Sequence, residues 1–406
     1  VTAHLPTQTI TGTTAADIRA STPGVAALVE TFQASDTITL NNDGDWGNGG
    51  DGGDLIVIGG TASVSLTNSV VAGAGADTIV VNSAASPASV GFSVAGNQGN
   101  DSISFSAASI FNGAFVGGGL DSDTISIQAI SEYINSNIKG GDHGDSITIA
   151  SGAFINSIVE GNKGADTILV STTAATNGSV GGGEGHDTIT IGAAGIASWI
   201  NGGAGLDSIS IGANASFSTL AGGGLADTIT FGATFAGGKI YGDGVGVTIA
   251  GTGTGGTADG NDLIGSSSGT NIDAAASVWG AGGADTIRFA NASAVILNGG
   301  DDADFISLQL AQTLTAGAAS LIGGNGADTL SIVSAAGAAW LQGDAGADSI
   351  KVAAASALTI AGGAGLDTIV FTNSAVTAAS NVNGGSEADL IYVGTAASAL
   401  TAFAGS

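Results

Sequence analysis

The chain has 406 residues, 71 of them Gly and only 3 Pro, with neither Cys nor Met. That composition fits one long repeat array and excludes both a collagen-like and a disordered chain. Its 34 acidic residues against 6 basic ones, a net charge of −28, exclude nucleic acid and anionic membranes as partners.

Only five of the acids are Glu, so Asp carries the charge, which points to turns and metal ligation more than to solvated helix faces. The absence of Cys fits a secreted protein that uses metal where others use disulfides. No apolar run has the length of a membrane span.

Taken from the N-terminus, residues 1–35 show no repeat. Ala15 to Phe32 reads as a short helix interrupted by Pro23, a cap or assembly segment at the open end of the repeat array. The repeat begins at Asp36-Thr37-Ile38-Thr39-Leu40, which lacks a glycine turn before it. From there a first block runs to residue 250, and its marker is an Asp followed by Thr or Ser and then by an apolar residue. The aspartates are Asp54, Asp77, Asp101, Asp123, Asp145, Asp166, Asp187, Asp207 and Asp227, and their spacing is 20–24 residues. Each opens a strand of period two, as in Asp166-Thr167-Ile168-Leu169-Val170, where Ile168 and Val170 share one face. A second strand ends before each turn on an apolar residue, as at Val94, Val116, Ile138, Val159 and Val180. Two short strands and two turns in about twenty residues make one coil of a parallel β-helix. A glycine pair at that interval would break the helices of a TPR or ankyrin array.

The turn between the strands is Gly-Gly-x-Gly-x-Asp, as in Gly182-Gly183-Glu184-Gly185-His186-Asp187 and Gly202-Gly203-Ala204-Gly205-Leu206-Asp207. Turns such as Gly118-Gly119-Leu120-Asp121-Ser122-Asp123 and Gly222-Gly223-Gly224-Leu225-Ala226-Asp227 lack the fourth-position Gly. Gly242-Asp243-Gly244-Val245-Gly246-Val247 followed by Thr248-Ile249 reads as a coil whose Asp has become Val247, keeping the fold and losing a ligand.

Residues 251–277 are a Gly/Thr/Ser-rich interruption that contains Asp262. A second block of coils covers 278–394 with Asp285, Asp304, Asp328, Asp348, Asp367 and Asp389, and residues 395–406 form an Ala-rich tail.

The repeated turn resembles the nonapeptide of the repeats-in-toxin family of calcium β-rolls over about residues 49–392. The resemblance implies an all-β, right-handed parallel β-roll with coils of about 20 residues, loaded with several Ca2+ ions. Its metal ligands are then the sixteen aspartates from Asp54 to Asp389 together with turn carbonyls. The family carries the motif twice per coil, whereas here the opposite turn is loose and rich in Ala, Ser and Asn, which implies a single calcium-binding edge. The resemblance also implies secretion and an extracellular, cell-surface location; the tail then reads as the remnant of an export signal.

Electrostatics favours a cation independently. Carboxylates one coil apart are ~4.8 Å from each other, and each pair repels by ~1 kcal/mol in water and ~3.5 kcal/mol at an effective dielectric of 20. Summed over the coils, that rivals the stability of a domain.

Catalysis has few candidates. His143 and His186 sit in turns and His4 stands alone, so no enzyme is expected. With charged residues only 10% of the chain and a mean hydropathy of +0.40, the long sides suit packing against other copies. The expected function is a calcium-dependent, self-assembling surface-layer or filament subunit whose partner is itself, with cell-surface polysaccharide as a possible anchor. The alternatives are an adhesin or stalk segment, a module of a larger secreted enzyme, and an ice-binding β-solenoid. The last is suggested by hydroxyl pairs such as Thr188/Thr190, but Val80, Leu169, Arg288 and Lys351 interrupt that pattern.

Overall fold

The computed structural model describes residues 8–23, 25–42, 44–59, 68–82, 86–106, 109–128, 130, 132–171, 174–192, 198–212, 219–232, 235–243, 259–265, 271–292, 295–309, 319–333, 338–355, 357–376, 380–393 and 400–403. Among these residues there is no helix, and every strand pairing is parallel. The chain divides into two compact units, one ending at Trp199 and the other beginning at Ile200. Each is a parallel β-solenoid.

In the first unit, one sheet is built from the strands that follow the aspartates. Its register is strict: Ser102, Ile103, Ser104 and Phe105 face Thr124, Ile125, Ser126 and Ile127 of the next coil. The second residue of each strand points inward, so Ile79, Ile103, Ile125, Ile147, Ile168 and Ile189 stack in one fully buried column. A second sheet leads into the glycine turns, and there Val70, Val94, Val116, Ile138, Val159 and Val180 form the facing column. Burying one such side chain contributes about 2 kcal/mol, and the period-two alternation delivers two per coil.

A third, five-stranded sheet lines the remaining side. It runs from Ser86–Val90 through Ser109–Asn112, Glu132–Ile134 and Ala153–Ile155 to Ala174–Thr176. Here the loose turn opens the coil, and aromatic rings fill the added width. Phe92 meets Phe111 at 4.7 Å, Phe111 meets Tyr133 at 5.3 Å, and Tyr133 stacks on Phe154 at 4.5 Å. At the corner after this sheet Asn135, Asn156 and Asn177 adopt φ of 46°, 48° and 54°, a conformation Asn tolerates better than most residues. Their amides form a ladder at 3.3 and 3.2 Å.

The second unit repeats the two-column plan. Ile229, Ile264, Ile287, Ile306, Leu330, Ile350 and Ile369 face Ile240, Val278, Leu297, Leu321, Leu341 and Ile360.

Two expectations are corrected. The segment expected to be helical over Ala15–Phe32 contains the strands Ile18–Ala20 and Ala27–Glu30, which pair with Thr37–Thr39 and Trp46–Asn48 of the following coils. Backbone pairing to a preformed sheet outweighs the weak local helix signal. The second concerns the 35-residue spacing. Residues 244–258, including Val247, lie outside the described residues, and the coil that turns at Gly242 has its aspartate at Asp262. The strand Leu263–Gly265 pairs with Thr228–Ile229 on one side and with Thr286–Arg288 on the other. The coil therefore keeps its aspartate, and the extra chain is an insertion into its turn. Strands Leu263–Gly265 and Asn271–Ala281 thus stand within the expected interruption, and Leu400–Phe403 of the tail pairs with Ser380–Asn383.

Candidate functional site: a buried aspartate ladder

Each repeat aspartate precedes an outward residue, Thr or Ser in most coils and Leu55, Leu263, Phe305 or Leu390 in the others, so the alternation that turns Ile inward turns the Asp inward too. From Asp54 to Asp367 the repeat aspartates are all buried, none more than 3% exposed, and Asp389 is half-buried. The carboxylates form a ladder. The backbone N–H of Asp101 donates to Oδ1 of Asp123 at 2.7 Å, Asp123 to Asp145 at 2.7 Å, Asp145 to Asp166 at 2.7 Å, and Asp166 to Asp187 at 2.8 Å. In the second unit Asp207 donates to Asp227 at 2.7 Å, Asp227 to Asp262 at 2.6 Å, and the series continues through Asp285, Asp304, Asp328, Asp348 and Asp367 to Asp389. The Asp carbonyls accept from the next coil as well, from Asp54 through Asp166 and from Asp207 through Asp367: Thr124 N donates to Asp101 O at 2.8 Å. An Asp thus fixes both backbone groups at the corner where turn becomes strand.

The other carboxylate oxygen has no such role. From Asp54 through Asp166, and again from Asp227 through Asp367, Oδ2 is fully buried without a hydrogen-bond partner. Its surroundings recur from turn to turn. A Cβ added to Gly96, Gly118 or Gly140, the first residue of the turn, would lie 2.1–2.2 Å from Oδ2 of Asp101, Asp123 or Asp145. The same point is 2.5–2.7 Å from the carbonyl oxygen of Gly118, Gly140 or Gly161 in the next coil. The cradle beside each first glycine is therefore faced by two acceptors from adjacent coils.

The charges acting on these carboxyls are other acids. Burial is the main cause that pushes Asp101 up to about 7, Asp145 up to about 8, Asp285 up to about 8 and Asp227 up to about 9; the backbone N–H bond opposes it, and neighbouring Asp residues add to it. Asp54, Asp123, Asp166 and Asp348 are raised to about 6 and Asp262 and Asp304 to about 7, again chiefly by burial. A buried carboxylate oxygen with no donor, facing a carbonyl oxygen, calls for a positive partner.

The turn conformation explains its sequence. Position two has positive φ, 130° at Gly119, 84° at Asn97, 82° at Asn162 and 75° at Asp344, which restricts it mainly to Gly, Asn and Asp. Position four is also left-handed, and the turns without Gly keep it: Asp121 at 71°, Leu225 at 72° and Glu387 at 77°. A non-Gly residue there costs about 1–2 kcal/mol, which the flanking ladders offset.

Three aspartates outside the predicted set have defined roles. Asp17 receives the N–H and hydroxyl of Thr13 and pairs with Arg19 at 2.9 Å, and its own N–H donates to Asp36 Oδ1 at 2.6 Å. The Thr13 bonds hold its carboxyl below the usual range. Asp45, fully buried, accepts from Ser21 Oγ at 2.6 Å, Ala27 N at 2.8 Å and Asn42 N at 2.9 Å. Asp243 accepts from Gly260 N at 3.1 Å and Gly282 N at 3.2 Å, which fastens the insertion to the next turn. Asp36 and Asp243 stood in the repeat pattern, but nothing in the local sequence of Asp17 marks it except its distance from Asp36.

Among the described residues no three His, Cys, Asp or Glu side chains converge as a metal cluster, so any cation at the ladder would have one carboxylate per turn and would need backbone oxygens to complete its shell. His143 is exposed on its turn, and His4 lies outside the described residues. Against family models, curated proteins and solved structures, the chain shows no match.

Proposed function

We propose that this chain is a calcium-stabilised structural protein without catalytic activity, a self-assembling subunit of an extracellular surface layer or filament. The observation that carries the reading is the row of buried Oδ2 atoms, each beside a carbonyl of the next coil and each without a donor. The donor set is all oxygen, which suits a hard cation such as Ca2+, with ligands drawn from two successive turns. Bound there, the cation supplies the positive charge that the six basic residues of the chain are too few to supply. The repeats-in-toxin resemblance of the turns leads to the same ion.

Assembly is argued from charge and surface. Many outer positions of the Asp-strand sheet in the first unit are small and uncharged, Ser102/Ser104, Thr124/Ser126, Ser146/Thr148 and Thr188/Thr190 in register. With cations neutralising much of the −28 charge, repulsion between copies falls. The hydroxyl face also motivates the ice-binding alternative, but the exposed Leu169 breaks it within one unit.

A calcium titration of the chelated chain at pH 8, followed by circular dichroism and light scattering, tests both parts. Gain of β-signal followed by growth in scattering is expected. A β-signal indifferent to chelator defeats the cation reading, and a saturated, folded chain that stays monomeric at high concentration defeats the assembly reading.

A further inference from the structure

We infer that the first residue of each turn decides whether that turn accepts a cation, and that Ala72 makes the Asp77 turn a gap in the row. The inference rests on the cation reading of the ladder given above. Of the turns that lead to Asp36 and to the sixteen repeat aspartates, fifteen begin with Gly; the exceptions are Thr31 and Ala72. Conformation does not demand that glycine. Gly96, Gly118, Gly140, Gly161, Gly222 and Gly343 all lie outside the left-handed region, in backbone geometry open to any residue.

The ladder does not demand it either. At the Ala72 turn, Asp54 N donates to Asp77 Oδ1 at 2.7 Å, Asp77 N donates to Asp101 Oδ1 at 2.8 Å, and Asp77 is 1% exposed. At the Thr31 turn, Asp36 keeps both bonds, at 2.6 and 2.8 Å. What glycine supplies is space beside Oδ2, in the cradle faced by the two acceptors.

The two exceptions fill that cradle differently. Ala72 places a methyl group in it. Thr31 sets its hydroxyl on the Gly49 carbonyl, the oxygen whose counterparts in later coils stand beside the Asp carboxylate, so that acceptor already has a donor. A cation that needs both oxygens is excluded by the methyl and replaced in part by the hydroxyl. Glycine elsewhere keeps the space open.

Equilibrium dialysis of the full chain against calcium counts the sites. Ala72→Gly is expected to bind one more calcium ion than the parent, and Ala72→Gly combined with Asp77→Asn to lose that gain. Gly161→Ala is expected to bind one fewer. An Ala72→Gly count equal to that of a parent that binds several ions overturns the inference and leaves the cation reading standing. A parent that binds none overturns both. Ala72→Gly removes only a methyl and keeps both ladder bonds, so its count is readable even if Gly161→Ala fails to fold.

Discussion

If the ladder binds calcium as proposed, stripping it should invert the protein's response to pH. The ladder carboxyls hold their protons more tightly folded than unfolded, Asp262 to about 7 and Asp227 to about 9 against an ordinary 3.8. A raised folded value gives stability that is fully present below the unfolded value and is lost as pH rises through the folded one. Without cations the fold is therefore firmest near pH 4 and weakens progressively as pH rises from there to about 9, the highest of the raised carboxyls. Each tenfold difference in proton affinity is worth about 1.4 kcal/mol, so these two carboxyls lose on the order of 4 and 7 kcal/mol. Halved for screening and for water entering opened coils, the pair still loses about 5 kcal/mol, a large part of a domain's 5–15 kcal/mol. Under the proposed cation reading calcium would reverse the sign, since it would bind the ionised form and its effect would grow as the protons leave. Urea melts in chelator at pH 5 and pH 9, repeated with calcium, read this directly. The expected result is a chelated chain folded at pH 5, unfolded at pH 9, and restored at pH 9 by calcium. Equal chelated stability at both pH values would refute the argument that the column is buried and coupled.

Asp166→Asn keeps the acceptor for Asp145 N–H and removes a charge, so in chelator at pH 8 it should match or exceed the parent in thermal stability. Asp166→Ala leaves that N–H unpaired and should cost about 1–3 kcal/mol in the same melt. Asp243→Ala frees two backbone N–H groups, Gly260 and Gly282, and should cost about 2–5 kcal/mol, with hydrogen exchange accelerated at those two amides. The Tyr133 hydroxyl is buried without a partner among its aromatic neighbours, and burial drives its ionisation upward. Tyr133→Phe should therefore be neutral or stabilise by about 1 kcal/mol, and a loss above that on urea melts would show that the hydroxyl is satisfied.

Much of the fold was legible because its signals repeat. Asp166-Thr167-Ile168-Leu169-Val170 states a strand, its buried face and its neighbour's register at once. The same alternation carries the inward direction of Asp166, since residues two apart share a face; reading the aspartates as an edge column overlooked this. The N-terminal coils were hidden because Thr31 stands where all other turns but that of Ala72 have Gly, which removes the punctuation that marks a turn. The insertion misled for the opposite reason. Gly242-Asp243-Gly244 followed by Val247-Thr248-Ile249 imitates a turn and strand, and only three-dimensional pairing assigns the coil to Asp262. The third sheet of the first unit was out of reach, because segments such as Ala174–Thr176 carry too little hydrophobic contrast to fix a period.

The corner at Asp243 has a use in protein engineering. Fifteen residues, 244–258, separate Asp243 from Asp259, yet Asp227 N still reaches Asp262 Oδ1 at 2.6 Å and Leu263–Gly265 still bridges its two neighbours. The corner thus tolerates a long connection, and closing a loop of that size costs little more entropy than closing a short one. Foreign peptides, epitopes or affinity tags spliced between Asp243 and Asp259 should ride on the scaffold without touching the carboxylate row, provided Asp243 and its bonds from Gly260 and Gly282 are kept.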